Sequence, residues 1–262
     1  MPVYDSIGAS YTRTRKSDPR IAQALLSILN LPSGSTVADI GAGTGSYASV
    51  LADAGHQVVA VEPSSTMRNQ ATPHADVQWI EAYAEALPLP DASVDAAVVM
   101  LAFHHFQEPL RALHEIYRIT APGKMLLFTY DPEMIAHFWL INYFPAFVED
   151  VRSTFLPLSS LASKIEAITT RPVKVEPFAL PHDLLDSFAA VGWGRPELYL
   201  DDRIRNGISS FSKMTDSELS QGLSKLRKDI GMGLWDKQYG HLRRRSHYDA
   251  GYRFLYTTNS PA

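Results

Sequence analysis

The sequence predicts an α/β fold: a doubly wound, mostly parallel seven-stranded sheet whose last strand runs antiparallel, with a helical cap inserted after the fifth strand. Three observations carry that expectation. Short apolar runs alternate with helical patterns from residue 19 to residue 130; residues 37–45, Val-Ala-Asp-Ile-Gly-Ala-Gly-Thr-Gly, drive an apolar strand into three glycines at alternate positions; and Glu62 closes a second apolar strand seventeen residues after Gly45. Gly41, Gly43 and Gly45 lack Cβ atoms, so the chain can turn sharply and bring bare backbone against a ligand before a helix starts at Ser46. The end of the second strand in such a sheet faces the same ligand, where an acid can accept two hydrogen bonds from a ribose diol.

The elements follow in order. Ile21, Leu25, Ile28 and Leu29 recur at helical spacing and stop before Pro32 and Gly34, which predicts a helix over 19–31 ahead of the first strand. Strands are expected at 36–41, 57–62, 77–81, 94–101 and 124–130, with helices near 45–54, 64–71 and 108–120 between them. The run 94–101 is apolar apart from Asp95, as a central strand covered on both faces requires. Glu108 and Pro109 open the helix over 108–120, a carboxylate at the positive dipole end and a proline where no N–H is needed. Beyond Tyr130, helices are expected at 159–168, at 183–191 capped by Asp183, and at 215–231 with a capping box from Thr215 to Glu218. A sixth strand is expected over 172–180, and residues 251–257, alternating Tyr252, Phe254 and Tyr256 with Arg253 and Leu255, form the final core strand. The chain is read as one domain: a cofactor-binding core over 1–130, cap insertions over 131–170 and 182–248, and the closing strand.

Spacing separates the two cofactor classes that use a glycine turn of this kind. A dinucleotide site wants GxGxxG, but Ser46 stands where the third glycine would fall. Asp39, two residues before Gly41, would repel a phosphate and accept hydrogen bonds from a cationic amino group. S-adenosylmethionine carries such a group and no phosphate, and an NAD-dependent oxidoreductase is the disfavoured alternative. At this point the chain resembles the class I S-adenosylmethionine-dependent methyltransferases, and within them the small-molecule group called type 11, which includes the ubiquinone and menaquinone C-methyltransferases. Four blocks in register carry the resemblance: VADIGAGTG at 37–45, VEPS at 61–64, AEALPLPDASVDAAVVM at 84–100 followed by LAFHHF, and LHEIYRITAPGKMLLF at 113–128. The first half of the chain is covered well and the second half poorly.

The resemblance implies a Rossmann-like sheet and S-adenosyl-L-methionine as cofactor, with the amino acid end against Gly41, Ala42, Gly43 and Gly45. It implies ribose hydroxyls on Glu62 beside Pro63, adenine between Met67 and the turn carrying Ala84 and Glu85, and Leu101 at the same pocket. Relatives often place a tyrosine and an arginine over the cofactor carboxylate, and Tyr4, Tyr11 and Arg15 occupy such positions here; Arg15 could make a bidentate pair, or be a surface arginine of the basic run Arg13, Arg15, Lys16 and Arg20. One departure stands out: the aspartate that would receive the adenine amino group is replaced by Tyr83. A non-methylating use of the same pocket, as a lyase, a cyclase or a regulatory binding module, stays open at this stage.

Methyl transfer from a sulfonium is an in-line displacement with an activated donor, so alignment is the protein's main task, worth up to roughly 7–11 kcal/mol in favourable models. A general base is needed only where the acceptor must lose a proton. His104 and His105 follow the fourth strand where the methyl group should emerge, and are the catalytic candidates; the alternative is that they orient backbone or cofactor. Trp139, Tyr143, Trp193 and Tyr199 are candidate walls for an aromatic or otherwise planar acceptor, with a lid's own aromatic core as the competing reading, and His182, beside Asp183, is a further candidate substrate contact.

Composition bounds these expectations. A chain of 262 residues, 45% hydrophobic, can bury a full α/β core and a cap. The net charge of −4 leaves no nucleic-acid footprint, and Arg243, Arg244 and Arg245 read as a solvated helix face. With no cysteine there is neither a disulfide framework nor a Cys-based metal site, and the nine histidines show no metal-ligand spacing, so no metal is expected. Residues 1–10 lack a signal pattern and no apolar run approaches a membrane span, which points to a cytoplasmic protein acting on a small-molecule methyl acceptor.

Overall fold

The structure, a computed structural model, describes residues 15–258. Helix α1 spans Pro19–Leu29, its N-cap Asp18 accepting a hydrogen bond from the Arg20 N–H at 3.0 Å, and it buries Ile21, Ala22, Leu25 and Leu29. The chain leaves it through Asn30 at φ 45° and enters β1, Thr36–Ile40. Then come α2 (Ser46–Asp53), β2 (Gln57–Val61), α3 (Ser65–Arg68), β3 (Val77–Ile80), β4 (Ala96–Met100), α4 (Pro109–Thr120) and β5 (Lys124–Tyr130). After the cap's first helix, α5 (Ala146–Thr154), come α6 (Leu158–Thr169), β6 (Val173–Pro177) and the short β7 (Leu180–Pro181). The rest of the cap holds α7 (Asp202–Arg205), α8 (Ser209–Ser212), α9 (Asp216–Gly231) and α10 (Leu234–Tyr239), before β8 (His247–Tyr248) and β9 (Tyr252–Thr257).

The sheet runs β3-β2-β1-β4-β5-β9-β6, parallel except for β9, which is antiparallel to both β5 and β6. Side chains alternate between two cores, as period-2 strands require: Val37 and Val98 face the layer of Ile21, Leu25 and Leu51, while Ala38, Ile40 and Val99 face Leu113 and Ile116. Strand order reverses between β1 and β4. That reversal opens a crevice at the carboxyl ends of the two strands, where such sheets bind ligands. No helix among the described residues is long and apolar enough to cross a membrane.

Three expectations need correction. Residues 183–191 form turns and bends instead of a helix: Leu184, Phe188, Ala190 and Val191 are buried while Asp186 turns in to pair with Arg15, and Asp183 pairs outward with Arg20 rather than capping. Helix α6, within the range assigned to the cap, instead packs on the sheet, its Leu161 and Ile165 in one core with Ile116, Leu127 and Leu255. The sixth strand is shorter than 172–180; Leu180 and Pro181 leave it to pair with Tyr248 and His247 in a separate ribbon. The capping box at Thr215 and Glu218 is present as expected.

Candidate functional site

The glycine turn is tied to the second strand. Both Gly41 and Ala42 donate their N–H groups to the Val61 carbonyl, at 2.8 and 3.0 Å, and Gly45 donates back to Ala42. Gly41, Gly43 and Gly45 have φ of 74°, 58° and 79°, the left-handed region that glycine enters without strain. At Gly41 a Cβ would lie 2.6 Å from the Cβ of Ala102, so the turn also needs its bare backbone to pass the chain leaving β4. Glu62 sits beneath the turn, buried, its Oε2 accepting from Gly43 N–H at 3.0 Å and its Oε1 from Ser64 N–H at 2.9 Å.

Over the crevice lies a cavity of about 220 Å³. Of the residues expected to hold the cofactor, Arg15, Gly41, Ala42, Gly43, Glu62, Pro63, Met67, Ala84, Glu85 and Leu101 line it. Gly45 does not; its missing Cβ makes room for the Trp79 ring, which would stand 2.7 Å away. Asp39 does not line it either. Buried on β1, it accepts a hydrogen bond from the Ala48 backbone in the first turn of α2, and burial together with the Glu62 charge raises its carboxyl pKa to about 7. Tyr4 and Tyr11 lie outside the described residues. Glu85 anchors the loop after β4, its Oε1 accepting from the N–H groups of Gln107 and Glu108 at 2.7 and 3.1 Å. Tyr83, the residue that departs from the family pattern, is exposed and lies at the cavity wall.

A second, smaller cavity of about 80 Å³ adjoins the first, sharing Arg15 and Leu101 with it. Leu101 has φ 53°, held by its N–H to the Phe128 carbonyl at 2.8 Å, and the next turn, Phe103–His105, divides the two histidines between the cavities. His105 lines the larger and His104 the smaller, their ring centroids 3.9 Å apart. Burial, with His105, Lys213 and Arg15 nearby, holds the His104 imidazole well below its ordinary pKa. His105 is pushed down to about 4 by burial and by the positive charges of Lys213 and Arg15. Both rings are therefore neutral at physiological pH.

The residues expected to contact substrate are elsewhere. Trp139, Tyr143, His182 and Trp193 line neither cavity. Trp139 donates its Nε1–H to the Trp193 carbonyl at 2.8 Å, Trp193 donates to the Pro181 carbonyl at 3.2 Å, Tyr143 donates to Asp229, and His182 packs edge-on to Trp193. A cap this size has to bury a core of its own, and these aromatics are that core. The smaller cavity is walled instead by Tyr130, Phe138, Phe147, Phe155, Phe188 and Tyr252. A further residue that the sequence did not single out is Asp186, which lines the larger cavity, pairs with Arg15 and has its carboxyl pKa raised by burial. Its partner Arg15 lies 171 residues away, so no local pattern in the sequence marks it.

The profile of the methyltransferase domain family matches residues 38–128. A solved protein from Anabaena variabilis, described as a methyltransferase from an antibiotic biosynthesis pathway, is 46% identical, with a TM-score of 0.90 over 94% of this chain and 99% of that one. The chain belongs to the class I S-adenosylmethionine-dependent methyltransferases. The curated relatives of this methyltransferase include the ubiquinone/menaquinone biosynthesis C-methyltransferase of Rubrivivax gelatinosus, 38% identical over 36% of this chain and 38% of that protein. They also include a demethylmenaquinone methyltransferase of Paenarthrobacter aurescens, 30% identical over 63% and 68%. The match thus spans well under half the length of the Rubrivivax relative. A phosphoethanolamine N-methyltransferase of Haemonchus contortus bound to S-adenosylmethionine, at 18% identity and a TM-score of 0.61, shares the fold, covering 98% of this chain and 57% of that one.

The residues at the crevice fit that cofactor. Gly41 and Gly43 leave backbone unshielded by side chains, Glu62 offers a carboxylate at the end of β2, and Arg15 brings a cation to the wall.

Proposed function

We propose that the methyltransferase carries a methyl group from S-adenosylmethionine in the larger cavity to a small-molecule acceptor in the smaller one. The observation that carries this reading is the adjacency of two cavities of different character across Leu101, one built on the glycine turn and Glu62, the other walled by aromatic rings. When bound, the cofactor supplies a methyl group activated on a sulfonium. Glu62 would accept from the ribose hydroxyls, the glycine turn would receive the amino acid end, Arg15 would pair with its carboxylate, and Met67 and Ala84 would flank the adenine. Leu101, at positive φ between the two cavities, would hold the junction where acceptor and methyl group have to meet.

His104, on the acceptor side, is the proton acceptor in this reading; His105, on the cofactor side, positions it. His104 Nδ1, buried and without a hydrogen-bond partner among the described residues, would take the proton of an acceptor hydroxyl as that oxygen gains the methyl group. A depressed pKa does not forbid this step, because the cofactor would lose its positive charge as the imidazole gains one and the buried site would gain no net charge. The planar walls favour an aromatic acceptor. The test is incubation with methyl-labelled cofactor and an untargeted metabolite pool: label is expected in a small molecule, and tight cofactor binding without transfer to any acceptor would overturn the assignment in favour of a binding module.

A further inference from the structure

We infer that the smaller cavity selects a compact acceptor of about one ring bearing a free hydroxyl, and turns away acceptors with a long isoprenoid tail; this rests on the two-cavity reading above. The first observation is size. The cavity, at about 80 Å³, is about half the roughly 150 Å³ void that takes up a benzene molecule, so its side chains must give way even for one ring, and a fused ring system or a polyprenyl chain exceeds it several-fold. Part of the wall is made of buried side chains of the cap. Phe147 and Ile208 are only 1% and 4% exposed, and Phe147 is itself packed edge-on to Phe211 with ring centroids 5.0 Å apart. A tail leaving the cavity on that side would have to break the cap's aromatic core.

The second observation is polarity. Two residues of the wall, His104 and Tyr130, each bury a polar atom, Nδ1 and the phenolic oxygen, with no hydrogen-bond partner among the described residues. Both rings pack on Phe155, with centroids 4.4 and 5.6 Å from it, so one side chain of the cavity wall touches both residues. Buried polar groups are nearly always satisfied, and a pair left open in a cavity wall marks where a ligand supplies the partner. A hydroxyl can donate to the neutral imidazole and accept from Tyr130, whose pKa is raised by burial and which therefore keeps its proton. The same hydroxyl is then the group from which His104 takes the proton. Tyr130 orients it.

The test is calorimetric binding of three probes, phenol, toluene and a farnesyl-substituted phenol, to the full chain saturated with S-adenosylhomocysteine. Phenol is expected to bind at least about tenfold more tightly than toluene, because an analogue without the hydroxyl leaves both buried groups unpaired, and the farnesylated phenol is expected not to bind. Tyr130→Phe should erase most of the preference for phenol, and Phe147→Leu, which deepens the cap's part of the wall, should admit 1-naphthol. Equal binding of toluene and phenol, or farnesylated phenol binding as well as phenol, overturns the inference. Selective binding of phenol in the calorimeter, together with no label reaching any acceptor of the metabolite pool from methyl-labelled cofactor, supports the cavity's selectivity while overturning the methyl-transfer reading, so the two failures are distinguishable.

Discussion

Gly41→Ala, read beside Gly34→Ala, isolates what the glycine turn does. Both glycines hold positive φ, 74° and 84°, so an alanine at either carries the left-handed strain of roughly 1–2 kcal/mol. At Gly34 nothing lies within 4 Å of the added methyl group, and strain is the whole cost. At Gly41 the methyl would stand 2.6 Å from Ala102 Cβ, an atom fixed to backbone that no rotamer can move, and overpacking of this kind adds about 1–3 kcal/mol. With Tm moving by about 2 °C per kcal/mol in a chain of this size, Gly34→Ala should fall by about 2–4 °C and Gly41→Ala by about 4–10 °C. The functional difference should be larger. Relief of the Ala102 contact pushes the 41–43 backbone toward the larger cavity, so Gly41→Ala should lose at least about tenfold in S-adenosylhomocysteine affinity, while Gly34→Ala binds as the parent does. Differential scanning calorimetry and isothermal titration on the two variants measure both. Equal Tm losses would refute the contact argument, and undiminished ligand affinity in Gly41→Ala would refute the assignment of the turn to the cofactor.

Glu62→Gln replaces one carboxylate oxygen by an amide that must face either Gly43 or Ser64 N–H, and charge-assisted bonds of this kind are worth about 1.5–3 kcal/mol. S-adenosylhomocysteine affinity should fall by about 10- to 100-fold in titration calorimetry. The two buried histidines set an acid limb on stability: because the His105 pKa is lowered from 6.5 to about 4, the unfolded chain binds more protons between those values, and stability falls as pH drops through that window. His105→Asn should flatten that limb in urea unfolding measured at pH 4.5 and pH 7. Asp39 works in the opposite sense, since a carboxyl raised from 3.8 to about 7 favours the folded state at low pH and loses that advantage as pH rises through the same range, so Asp39→Asn should be relatively more stable at pH 8 than at pH 5.

The first half of the molecule was legible because each of its signals is local. Strand runs with flanking glycine or proline, Pro109 at the start of α4, and the spacing of residues 39, 41, 43, 45 and 62 all act within one βαβ unit, and the five parallel strands of the core lie where they were expected. Asp39 and Gly45 show the limit of that reading. Spacing put both beside the ligand, whereas packing turned Asp39 toward the start of α2 and gave the space at Gly45 to Trp79. The cap was less legible because its aromatic residues are equally suited to a core or to a substrate wall, and only tertiary contacts decide which. Trp139 donates to the Trp193 carbonyl and Trp193 to that of Pro181, while Phe147, Phe155 and Tyr130, no more conspicuous in the sequence, form the cavity. Asp186 was out of reach of sequence for a different reason: its partner Arg15 is 171 residues away.

Whether donor and acceptor occupy two adjoining cavities separated at Leu101 is decided by a crystal structure of the chain with S-adenosylhomocysteine. The ribose is expected on Glu62, the amino acid carboxylate at Arg15, and the sulfur at Leu101 pointing toward His104. A ligand bound with its sulfur turned away from the smaller cavity, or seated outside the glycine turn, would contradict it.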